Sequence, residues 1–240
     1  METLFLVPGL LCDAAIWTHQ VGALGSRYDV RVPDLTGDDS IDGMVDRVLD
    51  GAPPTFSIAG HSMGGRVAMR LIARAPDRVR RLALLDTGVH PPLPGEAEAR
   101  QVLLDVSASQ GMRALADLWL PPMVRDGALD DDALRASLHA MVERMDPTIH
   151  RRQIAALLGR PDAQPGLRAI DCPVLVGVGA EDRWSPPEQH RLIADAMPRA
   201  DLIVFADSGH MAPIEAPEAV TAALAQWMRR PTTHERTQHA

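Results

Sequence analysis

A serine stands between glycines in Gly60-His61-Ser62-Met63-Gly64-Gly65. A serine hydroxyl is a weak nucleophile at neutral pH. It becomes an effective one when a base takes its proton and small neighbours let the backbone turn sharply enough to present it. The G-x-S-x-G spacing supplies those small neighbours. Two later segments offer the remaining groups: Gly179-Ala180-Glu181-Asp182-Arg183-Trp184-Ser185-Pro186, and Ala206-Asp207-Ser208-Gly209-His210-Met211. The imidazole of His210 can take the proton, and the carboxylate of Asp182 can fix the ring's tautomer and stabilise the imidazolium. An acyl oxyanion also needs two backbone N–H donors. Those expected are Met63, directly after the serine, and Leu10, in the glycine-containing stretch Pro8-Gly9-Leu10-Leu11-Cys12.

Each group has a bland alternative. A bare G-x-S-x-G also fits a glycine-rich turn whose serine merely caps a helix. Glu181 neighbours Asp182 and is expected to point away, Asp207 to order the turn before His210, and Asp86 to be the substitute acid. His61 is expected to pack behind Ser62, while His90, His139 and His150 fall in a middle block, and His234 and His239 in the last residues. Cys12 lies close enough to be an alternative nucleophile, although two cysteines in a chain like this one are by default buried, reduced thiols.

The elements that must position these residues are legible as alternating short apolar runs and helical patterns. Leu4 to Val7, Tyr28 to Val32, Phe56 to Ala59, Leu82 to Leu85, Val174 to Val178 and Leu202 to Phe205 read as strands. Asp13 to Leu24, the segment capped by Ser40 and Gly64 to Ala75 read as helices. The strands are nearly continuous in apolar residues, as in a parallel sheet covered on both faces. The expectation is a doubly wound α/β fold with about six mostly parallel strands.

From about residue 89 to 169 no strand is evident. One helix is expected after Asp130-Asp131-Asp132, with Leu134, Leu138, Met141, Val142 and Met145 on one side. Another begins at Asp146-Pro147 and buries Ile149, Ile154, Leu157 and Leu158. The organisation expected is a single domain, with a core of residues 1–88 and 170–228, a helical cap at 89–169 and a frayed tail at 229–240. Met112, Trp119, Met123, Met141 and Met145 either line an apolar acyl pocket or form the buried faces of cap helices. Trp184 is expected near the leaving group.

Composition narrows the chemistry. The formal net charge is −8, which gives no electrostatic footprint for nucleic acid. All 24 basic side chains are arginine, so lysine Schiff-base chemistry and a phosphate-loop lysine are excluded. No His/Cys/Asp cluster has metal-ligand spacing. The first residues carry no basic stretch and too short an apolar run for a signal peptide or membrane span, so the expectation is a cytoplasmic protein without membrane attachment.

Through Leu6-Val7-Pro8-Gly9-Leu10, Gly60 to Gly65, Gly179 to Pro186 and Asp207 to Met211, the chain resembles the α/β-hydrolase family, in the branch of small esterases, lactonases and carbon–carbon hydrolases. The resemblance implies Ser62, Asp182 and His210 as the triad, and no cofactor. It departs from the family in having Pro8-Gly9 where His-Gly is frequent, in lacking the leading antiparallel hairpin, and in a short Thr36-Gly37-Asp38-Asp39 loop. The expected activity is hydrolysis of a small-molecule carboxylic ester by a monomer or homodimer. A lactone, thioester or vinylogous diketone substrate, or a low-turnover ligand-binding role, fits the same residues.

Overall fold

The computed structural model describes residues 1–232. Its sheet has six strands: β1 (Thr3–Val7), β2 (Asp29–Arg31), β3 (Phe56–His61), β4 (Val79–Leu85), β5 (Val174–Gly179) and β6 (Ala200–Phe205). Their order is β2-β1-β3-β4-β5-β6, and every neighbouring pair is parallel. β1, β3 and β5 are buried along their whole length, which is why each reads as a nearly continuous apolar run. The sheet edges differ from that expectation. No residue of β2 is fully buried, and β6 exposes Asp201 and Val204, because an edge strand has one flank without a neighbour.

Right-handed crossovers decide which face each helix covers. The step from β1 to β2 runs one way and carries α1 (Thr18–Leu24); a short 3₁₀ turn, Ala14–Trp17, precedes it. The chain then reverses, so α2 (Ile41–Asp50) and α3 (Met63–Arg74) lie on the opposite face, packed on each other. Ser40 starts α2 by accepting from the Gly43 amide at 3.1 Å. The reversal falls between β1 and β3, and a crevice opens beyond the carboxyl ends of those two strands.

Three helices fill the connection from β4 to β5: α4 (Glu96–Trp119), α5 (Asp132–Glu143) and α6 (Pro147–Leu158). Asp131 and Asp146 cap the last two through their side chains. Leu138, Met141, Val142, Met145, Ile154 and Leu157 are buried, whereas Leu134, Ile149 and Leu158 are only partly so. No regular apolar period announces α4, because Gly111 at φ 87° interrupts it and turns the second half onto a different face. α5 and α6 both pack against α4.

After β5 come α7 (Pro187–Asp195), packed on β5 and β6, the single turn α8 (Ala212–Glu215) after β6, and α9 (Pro217–Met228), packed on α1. The expected frayed segment from Arg229 is corrected for its first residues. The Arg230 guanidinium donates to the carbonyls of Val174 at 2.7 Å and Arg199 at 2.9 Å, and Thr232 is buried. Residues 233–240, with His234 and His239, lie outside the described residues. Among the described residues no helix is long and apolar enough to cross a membrane.

Three histidines, His61, His150 and His190, have no exposed surface. Burial pushes His61 down to about 3 and the other two down to about 4, with His210 adding to the effect on His61 and Arg100 to that on His150. An unfolded imidazole titrates near 6.5, so from about pH 6.5 to about pH 4 the unfolded chain binds protons that the folded chain refuses. Stability therefore falls as pH falls through that window, by roughly 1.4 kcal/mol per pH unit for each such histidine. Urea unfolding at about pH 7 and pH 5 is expected to show this loss, and His150→Gln to reduce it by about one histidine's share. An unchanged pH dependence in the variant would contradict the assignment.

Candidate active site

The crevice between β1 and β3 is where the sequence motifs meet. β3 ends at His61, α3 begins at Met63, and Ser62 joins them with φ 53° and ψ −115°. That conformation costs a non-glycine residue about 1–3 kcal/mol, and the surroundings must enforce it. They do so through backbone contacts. The Ser62 amide donates to the Leu85 carbonyl at 2.9 Å, and the Thr87 hydroxyl donates to the Ser62 carbonyl at 2.7 Å. A Cβ on Gly60 would collide with the backbone of Gly64 and Gly65, and one on Gly64 with the carbonyls of Val7 and Pro8. The G-x-S-x-G spacing is thus the steric condition for three backbone segments to touch.

His210 follows β6 and reaches both partners. Its Nδ1–H donates to Asp182 Oδ2 at 2.8 Å, and its Nε2 accepts from the Ser62 hydroxyl at 2.9 Å. Asp182 is buried. Its Oδ1 accepts from the amides of Trp184 and Ser185, each at 2.8 Å, and its Oδ2 accepts from the Ser185 hydroxyl at 2.9 Å. Burial alone would raise this carboxyl, but the charge and hydrogen bond of His210 and the Ser185 donors outweigh it and hold Asp182 below the usual carboxylate value. The arrangement can pass a proton from Ser62 to His210 while a fixed negative charge faces the far side of the ring.

The competing groups are placed elsewhere. Asp86 is fully buried, accepts from the Gly179 amide at 2.8 Å, and makes no bond to His210. Burial, and then the nearby charge of Asp182, hold its carboxyl well above the ordinary range, the wrong state for orienting an imidazolium. Cys12 is buried, donates to the Leu10 carbonyl at 3.3 Å, and has its thiol pushed up by burial, so no thiolate is available. Glu181 is exposed and accepts from the Asp126 amide at 3.3 Å. His139 stands beside Asp117 and Glu143, and His150 bonds the Ser107 hydroxyl at 3.0 Å. Among the described residues, no group of three His, Cys, Asp or Glu side chains converges as a metal site would require.

Other residues support the site, His61 in the place expected of it and Glu215, His190 and Gln153 without a sequence signal. His61 lies behind Ser62, and its Nε2–H donates to the His210 carbonyl at 2.7 Å. Glu215, rather than Asp207, orders the turn around His210: its carboxylate accepts from the amides of Gly209 at 2.9 Å and Met211 at 3.2 Å. Asp207 contributes only its backbone, at φ 52°. His190 accepts from the Thr87 amide at 2.9 Å and so braces the residue that bonds Ser62. Gln153, on α6, accepts from the Leu11 amide at 2.9 Å, although 142 residues separate them. That bond holds the loop after β1, where Leu11 itself sits at φ 58°.

Leu10 and Met63 line the same cavity as Ser62 and His210, and their amides donate to no protein acceptor among the described residues. The cavity measures about 440 Å³. Trp119, Met123 and the half-exposed Trp184 reach its wall, whereas Met112, Met141 and Met145 are buried in the helical packing away from it. A larger cavity of about 710 Å³ shares Arg66 and Arg160 with this one but contains none of Ser62, Asp182 and His210.

Relatives carry the same architecture. The chain is 27% identical over 231 residues to a pimeloyl-acyl-carrier-protein methyl ester esterase of Nitrosomonas europaea, covering 90% of this chain and 91% of that protein. Among solved structures, a thermophilic esterase from Thermogutta terrifontis superposes with a TM-score of 0.87 at 27% identity, over 95% of this chain and 90% of that one. The enol-lactonase from Burkholderia xenovorans LB400 superposes with a TM-score of 0.86 at 26% identity, over 95% and 92%. The sequence pattern of the alpha/beta hydrolase family matches residues 4–223, and the chain belongs to that family.

Proposed function

We propose that the protein hydrolyses small-molecule carboxylic esters through an acyl-enzyme on Ser62. The observation that carries this is the continuous Ser62–His210–Asp182 chain of hydrogen bonds, at 2.9 and 2.8 Å, in a cavity that also holds two unused backbone amides. Similarity to esterases supports the choice of ester.

In this reading His210 Nε2 takes the Ser62 proton as Oγ attacks the ester carbonyl. The carbonyl electron pair moves onto its oxygen, and the Leu10 and Met63 amides receive the oxyanion. The tetrahedral centre collapses, the carbon–alkoxy bond breaks, and His210 returns the proton to the departing alcohol. Water then attacks the acyl-serine with His210 as base, and the acid and free Ser62 are released. Asp182 stays ionised throughout, stabilising the imidazolium. The mechanism calls on no cofactor.

Ser62→Ala is expected to lower turnover of a short nitrophenyl ester by roughly 10⁴-fold or more while leaving the fold intact. Nitrophenol release at the wild-type rate from the folded variant would overturn the reading.

The second donor depends on the Leu11 loop, hence on Gln153. Gln153→Met leaves a buried amide without an acceptor, which costs about 1–3 kcal/mol. The expected outcome is a lower melting temperature together with a lower kcat, because the Leu10 amide is no longer held in place. A variant with wild-type kcat would show that Gln153 does not position the loop.

A further inference from the structure

The wall of the catalytic cavity carries more positive charge than its own carboxylate can neutralise. Arg66, Arg100 and Arg160 are each more than nine-tenths buried there, and Glu96 is the acidic side chain that bonds the last two, whereas the other carboxyl of the wall, Asp86, is held well above the ordinary range by burial. Glu96 is already saturated. Its Oε1 accepts from Arg100 Nε at 2.8 Å and Arg160 Nη1 at 2.7 Å, and its Oε2 accepts from Arg160 Nη2 at 2.7 Å and the Leu93 amide at 3.1 Å. Three buried guanidinium groups thus share one carboxylate that bonds only two of them, which leaves a buried positive excess at Arg66 in a chain whose net charge is −8. A buried excess of this kind is costly unless an anion completes it.

Arg66 is the guanidinium left over. It lies on α3, four residues after Ser62 and hence about 6 Å further along the helix axis. Its Nη1 donates to the His90 carbonyl at 2.7 Å, while Nε and Nη2 have no protein acceptor among the described residues. Burial and the neighbouring Arg160 push it down to about 9, still cationic at neutral pH. Its Nη2 faces the catalytic side, beside Gly88, which lines the cavity of Ser62 and not the larger one. A Cβ built on Gly88 would stand 2.8 Å from Arg66 Nη2, 3.0 Å from Gln189 Nε2 and 3.3 Å from His90 Nε2. Three side-chain nitrogens therefore converge beside Gly88, and the missing Cβ leaves room for them.

We propose that this cavity selects esters whose acyl chain carries a second, free carboxylate, and that Arg66 receives that carboxylate while Ser62 attacks the ester end. The spacing of the two residues fits a short half-ester of a dicarboxylic acid. Gln189 supplies a neutral donor to the same group. His90 Nδ1–H donates to the Pro91 carbonyl at 2.8 Å, so His90 Nε2 becomes a donor only in the imidazolium. The inference rests on the ester reading for the identity of the reaction, though not for the binding of the anion.

The test compares monoethyl glutarate with ethyl pentanoate, which matches it in acyl-chain length and lacks the free carboxylate, following acid release. Wild type is expected to favour the half-ester at least tenfold in kcat/KM, and Arg66→Met to reduce that ratio by about tenfold or more. Arg66→Lys should keep part of it, since the charge remains. Gly88→Ala, which displaces the three nitrogens without removing charge, should also lower the ratio. A wild-type ratio of one or less, or a ratio unchanged in Arg66→Met, would overturn the proposal. Binding is read separately: glutarate should raise the melting temperature of wild type but not of Arg66→Met. If glutarate stabilises only wild type and neither ester is cleaved, the ester reading fails and the anion site stands. If neutral esters are cleaved and glutarate has no effect, the anion site fails alone.

Discussion

The backbone at Ser62 is the constraint on which the rest of this molecule depends. A serine at φ 53° and ψ −115° sits there only because β3, α3 and the loop after β1 close on it with glycine at each point of contact. The strained turn points the hydroxyl out of the sheet, and it also places Met63 as the first residue of a helix, where its amide has no intrahelical partner. One local geometry thus exposes the proposed nucleophile and frees a backbone amide for the proposed oxyanion hole. The reversal of strand order between β1 and β3 brings Leu10 to the same spot, so the two amides converge through topology.

Around this turn the structure invests buried polar groups in holding backbone atoms. Thr87 and His190 brace Ser62, His61 and Glu215 fix the loop of His210, and Gln153 fixes the loop of Leu10. Each is a donor–acceptor pair out of water, where losing one partner costs more than the bond itself contributes. Gln153 comes from α6, so the helices between β4 and β5 take part in building the site as well as in covering it.

The groups with chemistry were legible because each is announced by its immediate neighbours. Ser62, Asp182 and His210 each follow an apolar strand, with a glycine two residues from Ser62, three from Asp182 and one from His210, which is a local pattern. The supporting shell is not local. Nothing next to Gln153 or His61 in sequence indicates that they bond Leu11 and His210, and Arg66 reads as an ordinary helix residue until Glu96 is seen to be taken by its neighbours. The same reason hides α4, whose period breaks at Gly111, and the exposure of β2 and β6, which depends on where the sheet ends. Periodicity records how a segment meets its own surroundings; edges and cross-chain bonds are set by residues far away in sequence.

The central claim is that Ser62 is a nucleophile made reactive by His210 and Asp182. Reaction with a fluorophosphonate, followed by peptide mass spectrometry, reads this without assuming any substrate. The account predicts one phosphonyl group per chain, on Ser62, and a rate that collapses in a folded His210→Ala variant. Labelling on another residue, or labelling of Ser62 at the same rate without His210, would contradict it.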